Sequence, residues 1–241
     1  MQITKMLVPQ SKYDIKCPYE MEPEFIVVHN SYNDASAMAE VSYMIGNNNK
    51  TSFHCAIDNV QIVQGIPFDR NSWNAGDGRN GKGNRKGISI EICYSKSGGE
   101  RFDDAEKLAA EYIAYLLKQY NWGIDRVKKH QDFANKYCPH RTLDLGWDRF
   151  LNMIKSYLED KPINNDEIEN GSDEEVRTYK NGSTTEVVYA DTACTKRIGS
   201  LDPRESCDCF GIFNDRAMVR YQVNGTNNYK IGFCKWLGGV K

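Results

Sequence analysis

One short stretch decides how this chain can fold. Between residues 159 and 175 it carries eight carboxylates (Glu159, Asp160, Asp166, Glu167, Glu169, Asp173, Glu174, Glu175) against a single lysine, Lys161, with Pro162 and Gly171 among them. Like charges packed this closely stay extended and hydrated, and too few apolar groups are present to offset the entropy of ordering the segment. The stretch reads as a linker, and the chain as two bodies, residues 1–158 in front of it and 176–241 behind it. Both lengths suit independent domains, which run from roughly 50 to 200 residues. The composition, 40% hydrophobic with 11% aromatic residues, is enough for real cores.

Residues 1–158 alternate strand-like and helix-like patterns. Phe25-Ile26-Val27-Val28 is a short apolar, β-branched run of the kind a buried strand gives. Ala35 to Ile45 predicts a helix with Asn33 or Asp34 as its N-cap. Thr51 to Ile57 and Gln61 to Gln64 read as strands turning at Asp58-Asn59. In Gly87 to Cys93 the period is two, so Ile88, Ile90 and Ile92 share one face and Glu91 takes the other. Asp103 to Tyr120 is helical by the spacing of Leu108, Tyr112, Tyr115 and Leu116, and Trp147 to Leu158 is a second amphipathic helix. Strands interleaved with helices argue an α/β domain.

Behind the linker the character changes. Five short β-patterns (Val176–Lys180, Thr184–Ala190, Ser206–Phe213, Ala217–Val223, Tyr229–Trp236) are broken by Asn181-Gly182, Asp202-Pro203, Asn214-Asp215 and Asn224-Gly225. That rhythm predicts a small β-barrel or sandwich. Residues 176–241 hold ten Lys/Arg against six Asp/Glu, a balance of +4 in a chain of net charge −2. A mildly cationic module suits an anionic polymer, while the total charge gives no sign of a nucleic-acid partner. No run reaches the ~18 apolar residues of a membrane span, and Met1 to Leu7 lacks the apolar core of a secretory signal. The expectation is a protein kept in the cytoplasm, with its eight cysteines reduced or bound to metal.

Four histidines are present: His29, His54, His130 and His140. His29 follows the apolar strand, at a strand end where site residues of α/β folds gather. His130 precedes Cys138 by eight residues. Imidazole and thiolate are good zinc ligands, but each histidine by itself is better explained by structure, and their spacing alone makes no motif. Glu91, judged only by its strand, is an exposed carboxylate. Cys207 and Cys209, with Cys194 and Cys234, lack the paired CxxC spacing of a zinc ribbon.

Five segments change that reading when taken in order: Val27-Val28-His29-Asn30, Ser52 to Asp58 (Ser-Phe-His-Cys-Ala-Ile-Asp), Trp73-Asn74-Ala75-Gly76, Ile88-Ser89-Ile90-Glu91, and His130-Gln131-Asp132 through Lys136-Tyr137-Cys138-Pro139. Together they resemble the type-2 zinc N-acetylmuramoyl-L-alanine amidases, whose fold is shared with peptidoglycan recognition proteins, and most of all the endolysins of phages infecting Bacillus and Clostridium. The resemblance covers about residues 1–158 and implies a mixed central sheet flanked by helices. It implies zinc held by His29, His130 and Cys138, a zinc-activated water, Glu91 as the catalytic carboxylate, and Lys136 beside the metal to steady an oxyanion. It places His54 on a strand near the site and outside the ligand set, and leaves His140 as a surface or helix-capping residue. Trp73, Ala75, Gly76 and Asn84 are expected to touch substrate. One departure is Asn74, where many relatives carry His.

The segment from Val223 to Phe233 resembles the SH3-like wall-binding modules of clostridial endolysins, with Tyr189, Tyr221, Tyr229 and Trp236 as candidates for a glycan groove. The expected function is cleavage of the bond between N-acetylmuramic acid and L-alanine in peptidoglycan. The second module would bind a secondary wall polymer or glycan, and the protein would wait in the host cytoplasm until released to the wall. Two other readings share these residues: a peptidoglycan-binding protein that does not cut, and a host autolysin with the same chemistry.

Overall fold

Glycine at position 87 and three isoleucines spaced by two set the centre of the larger sheet. In the computed structural model, which describes residues 3–159, 177–189, 194, 197–213, 216–223, 229–235 and 239–240, the described residues divide between two compact units, Met1–Gly171 and Ser172–Lys241. The acidic stretch from 160 onward lies outside the described residues, as do Trp236 and the Asn214-Asp215 and Asn224-Gly225 turns.

The first unit holds six strands: β1 (Ile3–Lys5), β2 (Phe25–Asn30), β3 (Cys55–Ile57), β4 (Ile62–Gln64), β5 (Gly87–Ile92) and β6 (Val127–Lys129). Their order is β1-β4-β3-β5-β2-β6. Every neighbouring pair is parallel except the β3–β4 hairpin, so the sheet is mixed and helices cover it, as the resemblance implied. Ile88, Ile90 and Ile92 are fully buried and pack with Ile26, Val28 and the apolar face of α4 (Glu100–Gln119). That face is Phe102, Ala105, Ala109, Tyr112, Ile113, Leu116 and Leu117, the i, i+3, i+4 stripe of a helix lying on a sheet. The helix begins three residues before the predicted start, because Gly98 and Gly99, both at φ +71°, break the chain just ahead of it. Glu100 and Asp103 then sit in its first turn, where negative charge is favoured.

α6 (Trp147–Glu159) packs on α4, and its Arg149 donates to the buried Glu106 across the interface at 2.5 Å. α2 (Ala37–Gly46) is capped by neither residue expected. Ser36 supplies the cap, its Oγ accepting from Ala39 N, while Asn33 folds back onto Ala35 N and Asp34 is taken up by Ser97. The short helix α1 (Tyr13–Lys16) was not foreseen. It brings Lys16 under the end of α2, where the buried ammonium donates to Asn47 Oδ1 and to the Asn49 and Thr51 carbonyls.

The second unit is one antiparallel sheet of β7 (Arg177–Lys180), β8 (Glu186–Tyr189), β9 (Arg197–Leu201), β10 (Ser206–Phe213), β11 (Arg216–Gln222), β12 (Tyr229–Cys234) and β13 (Gly239–Val240), ordered β13-β7-β10-β11-β12-β8-β9. β7 and β9 stand near opposite ends of that order, yet Tyr179 and Leu201 share one core with Val188, Cys207, Cys209, Val219, Tyr221 and Cys234. Asn181, just past β7, also donates to the Leu201 carbonyl. The sheet therefore curls back on itself, a small β-domain built around a single interior. β9 and β13 were absent from the predicted pattern. Tyr221 is buried in this core, not on a groove, and Cys207, Cys209 and Cys234 are core thiols.

Candidate metal and catalytic centre

Three chain segments converge at the carboxyl ends of the central parallel strands, the place where α/β sheets put their sites. β2 delivers His29 near its end, and β6 leads directly into His130. The loop that follows is closed by Gln131 N donating to the Cys138 carbonyl at 3.0 Å, which folds Cys138 back beside His130. Asn30 fastens the far side: its Oδ1 accepts from the backbone of Arg141 and Thr142 at the start of α5 (His140–Asp144). Residues 101 and 109 positions apart thus meet. His130 Nδ1 lies 3.0 Å from His29 Nδ1, Cys138 Sγ lies 4.0 Å from the same atom, and the three donor atoms fall within 4.8 Å of one another. It is the one such group found among the described residues.

The donor set fits a zinc ion. Tetrahedral zinc with bonds of ~2.0–2.1 Å to nitrogen and ~2.3 Å to sulfur separates its ligands by about 3.3–3.6 Å, a range bracketed by the 3.0 and 4.0 Å separations from His29 Nδ1, while the group as a whole spans up to 4.8 Å. Burial pulls the His29 pKa well down, helped by the charges of His130 and Lys136, and burial with Lys136 takes His130 to about 4. Both imidazoles are therefore neutral with lone pairs to give. The two Nδ1 atoms face each other, and His29 Nε2 is buried without a hydrogen-bond partner. Two neutral rings can share only one N–H across that contact, whereas a cation between them satisfies both lone pairs. Burial raises the Cys138 thiol to about 11, with the Glu91 charge adding to it against the opposing Asn30 N–H and Lys136. Its proton would leave on metal binding.

Glu91 stands across from His29 in the β2–β5 register. Burial lifts its carboxyl to about 7, with the Asn74 hydrogen bond opposing, the Glu40 charge adding and Lys136 opposing. A carboxyl poised there exchanges protons in both directions near neutral pH. Lys136 is exposed, and its positive charge is felt by His29, His130, Glu91 and Cys138 alike.

The Trp73 to Arg85 loop forms one rim. Gly76, at φ +75°, passes so near the metal group that a Cβ there would come 3.1 Å from His130 Nε2. Trp73 is half-buried and packs edge-on against Tyr19, whose ring also carries Arg85 4.0 Å above its centre. Ala75 and Asn84 are buried. The Asn84 side chain accepts from the backbone of Asn74 and Ala75 and donates to the Gly78 carbonyl, so it holds the loop's shape from inside. Asp77 accepts from Gly83 N and Asn84 N, opening the short helix α3 (Lys82–Lys86).

His54 is fully buried and outside the metal group. Ser89 N donates to its Nδ1 at 2.9 Å, which leaves Nε2 to donate to the Arg70 carbonyl at 2.8 Å. It is a strut under β5. His140 Nε2 reaches the Ser95 carbonyl at 3.2 Å. Tyr32, 72% exposed at φ +59° just past β2, carried no signal in the sequence, and Asn74, which stood out there only as a departure from the family, proves to place its amide on Glu91.

With that geometry in hand, comparisons with known proteins agree on one family. The profile of N-acetylmuramoyl-L-alanine amidases matches residues 19–141. Two curated Bacillus subtilis proteins, the N-acetylmuramoyl-L-alanine amidases XlyB and CwlA, are 55% and 56% identical over 65% of this chain; it covers 50% and 58% of their lengths. The solved structure of PlyL is 54% identical with a TM-score of 0.63, covering 65% of this chain and 99% of that one. The solution structure of the PlyG catalytic domain is 52% identical at a TM-score of 0.63, covering 68% and 100%.

Proposed function

Because the chain belongs to the N-acetylmuramoyl-L-alanine amidase family, we propose that it hydrolyses the amide between N-acetylmuramic acid and L-alanine in bacterial peptidoglycan. The observation that carries this reading is the convergence of His29, His130 and Cys138 on one point, with Glu91 on the neighbouring strand. These three residues would hold zinc. When bound, the ion supplies Lewis-acid polarisation of the scissile carbonyl and a more acidic water. Amide resonance makes such help necessary, since it leaves the carbonyl a poor electrophile.

Glu91 takes the proton of the attacking water and returns it to the leaving amine of L-alanine, work suited to a carboxyl near 7. Lys136 sets a positive charge beside the oxygen on which negative charge develops. Trp73 and the exposed backbone at Gly76 line the substrate, held from beneath by Ala75 and Asn84. Residues 176–241 act as the wall anchor, binding a secondary wall polymer or glycan and raising the local concentration of the catalytic unit. In this reading the protein is a lysin that stays in the host cytoplasm until a second protein opens the membrane.

The test is product analysis of digested Gram-positive walls. New L-alanine amino termini without new reducing sugar ends support the amidase. Reducing ends would make it a glycosidase, and wall binding without either product would make it a recognition protein.

A further inference from the structure

Glu91 has two carboxylate oxygens, and only one can aim at a water while the other fixes the group in place. Among the described residues one side chain is hydrogen-bonded to it: Asn74 Nδ2 lies 3.1 Å from Glu91 Oε1. The same nitrogen lies 2.6 Å from Ser89 Oγ, two residues earlier on the same face of β5. A carboxylate only accepts, so the amide must turn its NH₂ toward it, and the two hydrogens serve Glu91 and Ser89 together.

Asn74 is itself fixed. Its backbone N–H is taken by Asn84 Oδ1 at 3.1 Å, and its neighbour Trp73 is tied to Ser52 through both backbone and hydroxyl. Resting on the amidase reading, we infer that Asn74 is a positioning residue that aims the Glu91 carboxylate, fixing Oε1 and presenting Oε2 to the attacking water. The donor is neutral and does not titrate, so it holds the carboxylate's orientation without forming an ion pair that would use up its basicity. The hydrogen bonds recorded for Asn74 run to Ser72, Asn84, Ser89 and Glu91, and Glu91 is the one partner with a part in the proposed chemistry. Its effect should appear only through Glu91 and only in the chemical step.

The experiment measures wall hydrolysis and zinc content for the full chain with Asn74→Ala, the isosteric Asn74→Asp, Glu91→Gln, and Asn74→Ala combined with Glu91→Gln. Expected is a fall in kcat of about 10- to 100-fold for each Asn74 variant, the range of a misplaced proton-transfer group. KM should stay within about twofold and zinc unchanged. The double variant should be no slower than Glu91→Gln alone, because a residue acting through another adds nothing once that partner is gone.

An unchanged kcat in Asn74→Asp, or a rise in KM with kcat intact, overturns the inference, as does a double variant markedly slower than Glu91→Gln. Full activity in Glu91→Gln instead overturns the catalytic reading of Glu91 itself, so the two failures are told apart.

Discussion

His29 and Glu91 face each other across β2 and β5, paired in parallel register. The imidazole proposed to hold metal and the carboxylate proposed to exchange protons are thus placed by one backbone ladder. A slip of one residue would turn either side chain to the opposite face of the sheet.

The two residues should separate cleanly by mutation. His29→Ala is expected to weaken zinc affinity by more than about 100-fold, since altering even the groups behind metal ligands costs ~10–100-fold. Glu91→Gln should keep its zinc and lose at least ~100-fold in lysis, the scale of general acid–base catalysis. Metal analysis of both purified variants beside a lysis assay checks this. Zinc lost from Glu91→Gln, or retained by His29→Ala, contradicts it.

Gly76 and Gly78 form a matched pair. Both lie in the left-handed region, at φ +75° and +81°, but a Cβ at Gly76 meets Ala134 Cβ at 2.8 Å and His130 Nε2 at 3.1 Å, while one at Gly78 meets nothing within 4 Å. Alanine at each should cost about 1–2 kcal/mol of backbone strain. Only Gly76→Ala should also displace His130, and we expect a measurable drop in zinc affinity there alone. Equal zinc affinities by competition titration would refute the contact.

A pH effect follows from His54. Burial, only partly offset by the bond to the Arg70 carbonyl, pulls its pKa from 6.5 down to about 4. Between those values the unfolded chain binds a proton that the folded chain refuses. This contribution to stability is therefore complete above pH ~6.5 and lost as the pH falls toward 4, by about 3 kcal/mol. Urea unfolding at pH 7 and pH 4.5 should show a smaller drop in His54→Gln than in the parent.

Glu106 is 1% exposed, and one of its carboxylate oxygens, Oε1, has no partner. Arg149 holds the other. Removing that arginine leaves a buried charge uncompensated, and Arg149→Ala should lose about 2 kcal/mol, tempered by the partial exposure of the guanidinium. Glu106→Gln combined with Arg149→Ala should recover part of it. Thermal melts of the three proteins decide.

What could be read from residues alone followed the apolar period. Phe25–Val28 and the Ile88/Ile90/Ile92 alternation marked the two central strands because burial enforces that spacing directly. The helix Lys82–Lys86 was illegible, since Lys-Gly-Asn-Arg-Lys has poor helix propensity. It forms because the distant carboxylate of Asp77 satisfies its first N–H groups. β9 hid behind Gly199, which a strand pattern penalises. There the absent side chain makes room for the Tyr221 ring, whose OH would lie 1.9 Å from a Cβ. The residues proposed to hold metal were named from ordered motifs, since no local spacing joins position 29 to positions 130 and 138. Asn74 looked only like a departure from the family. Its partner Glu91 is 17 residues away, and nothing but the folded loop brings the two together.

The Asn84 amide, threaded into its own loop, has a thermodynamic consequence. A rim spanned internally by three side-chain hydrogen bonds is already in shape before the proposed substrate arrives. Little freedom is left to surrender on encounter, so more of the contact energy remains available as affinity.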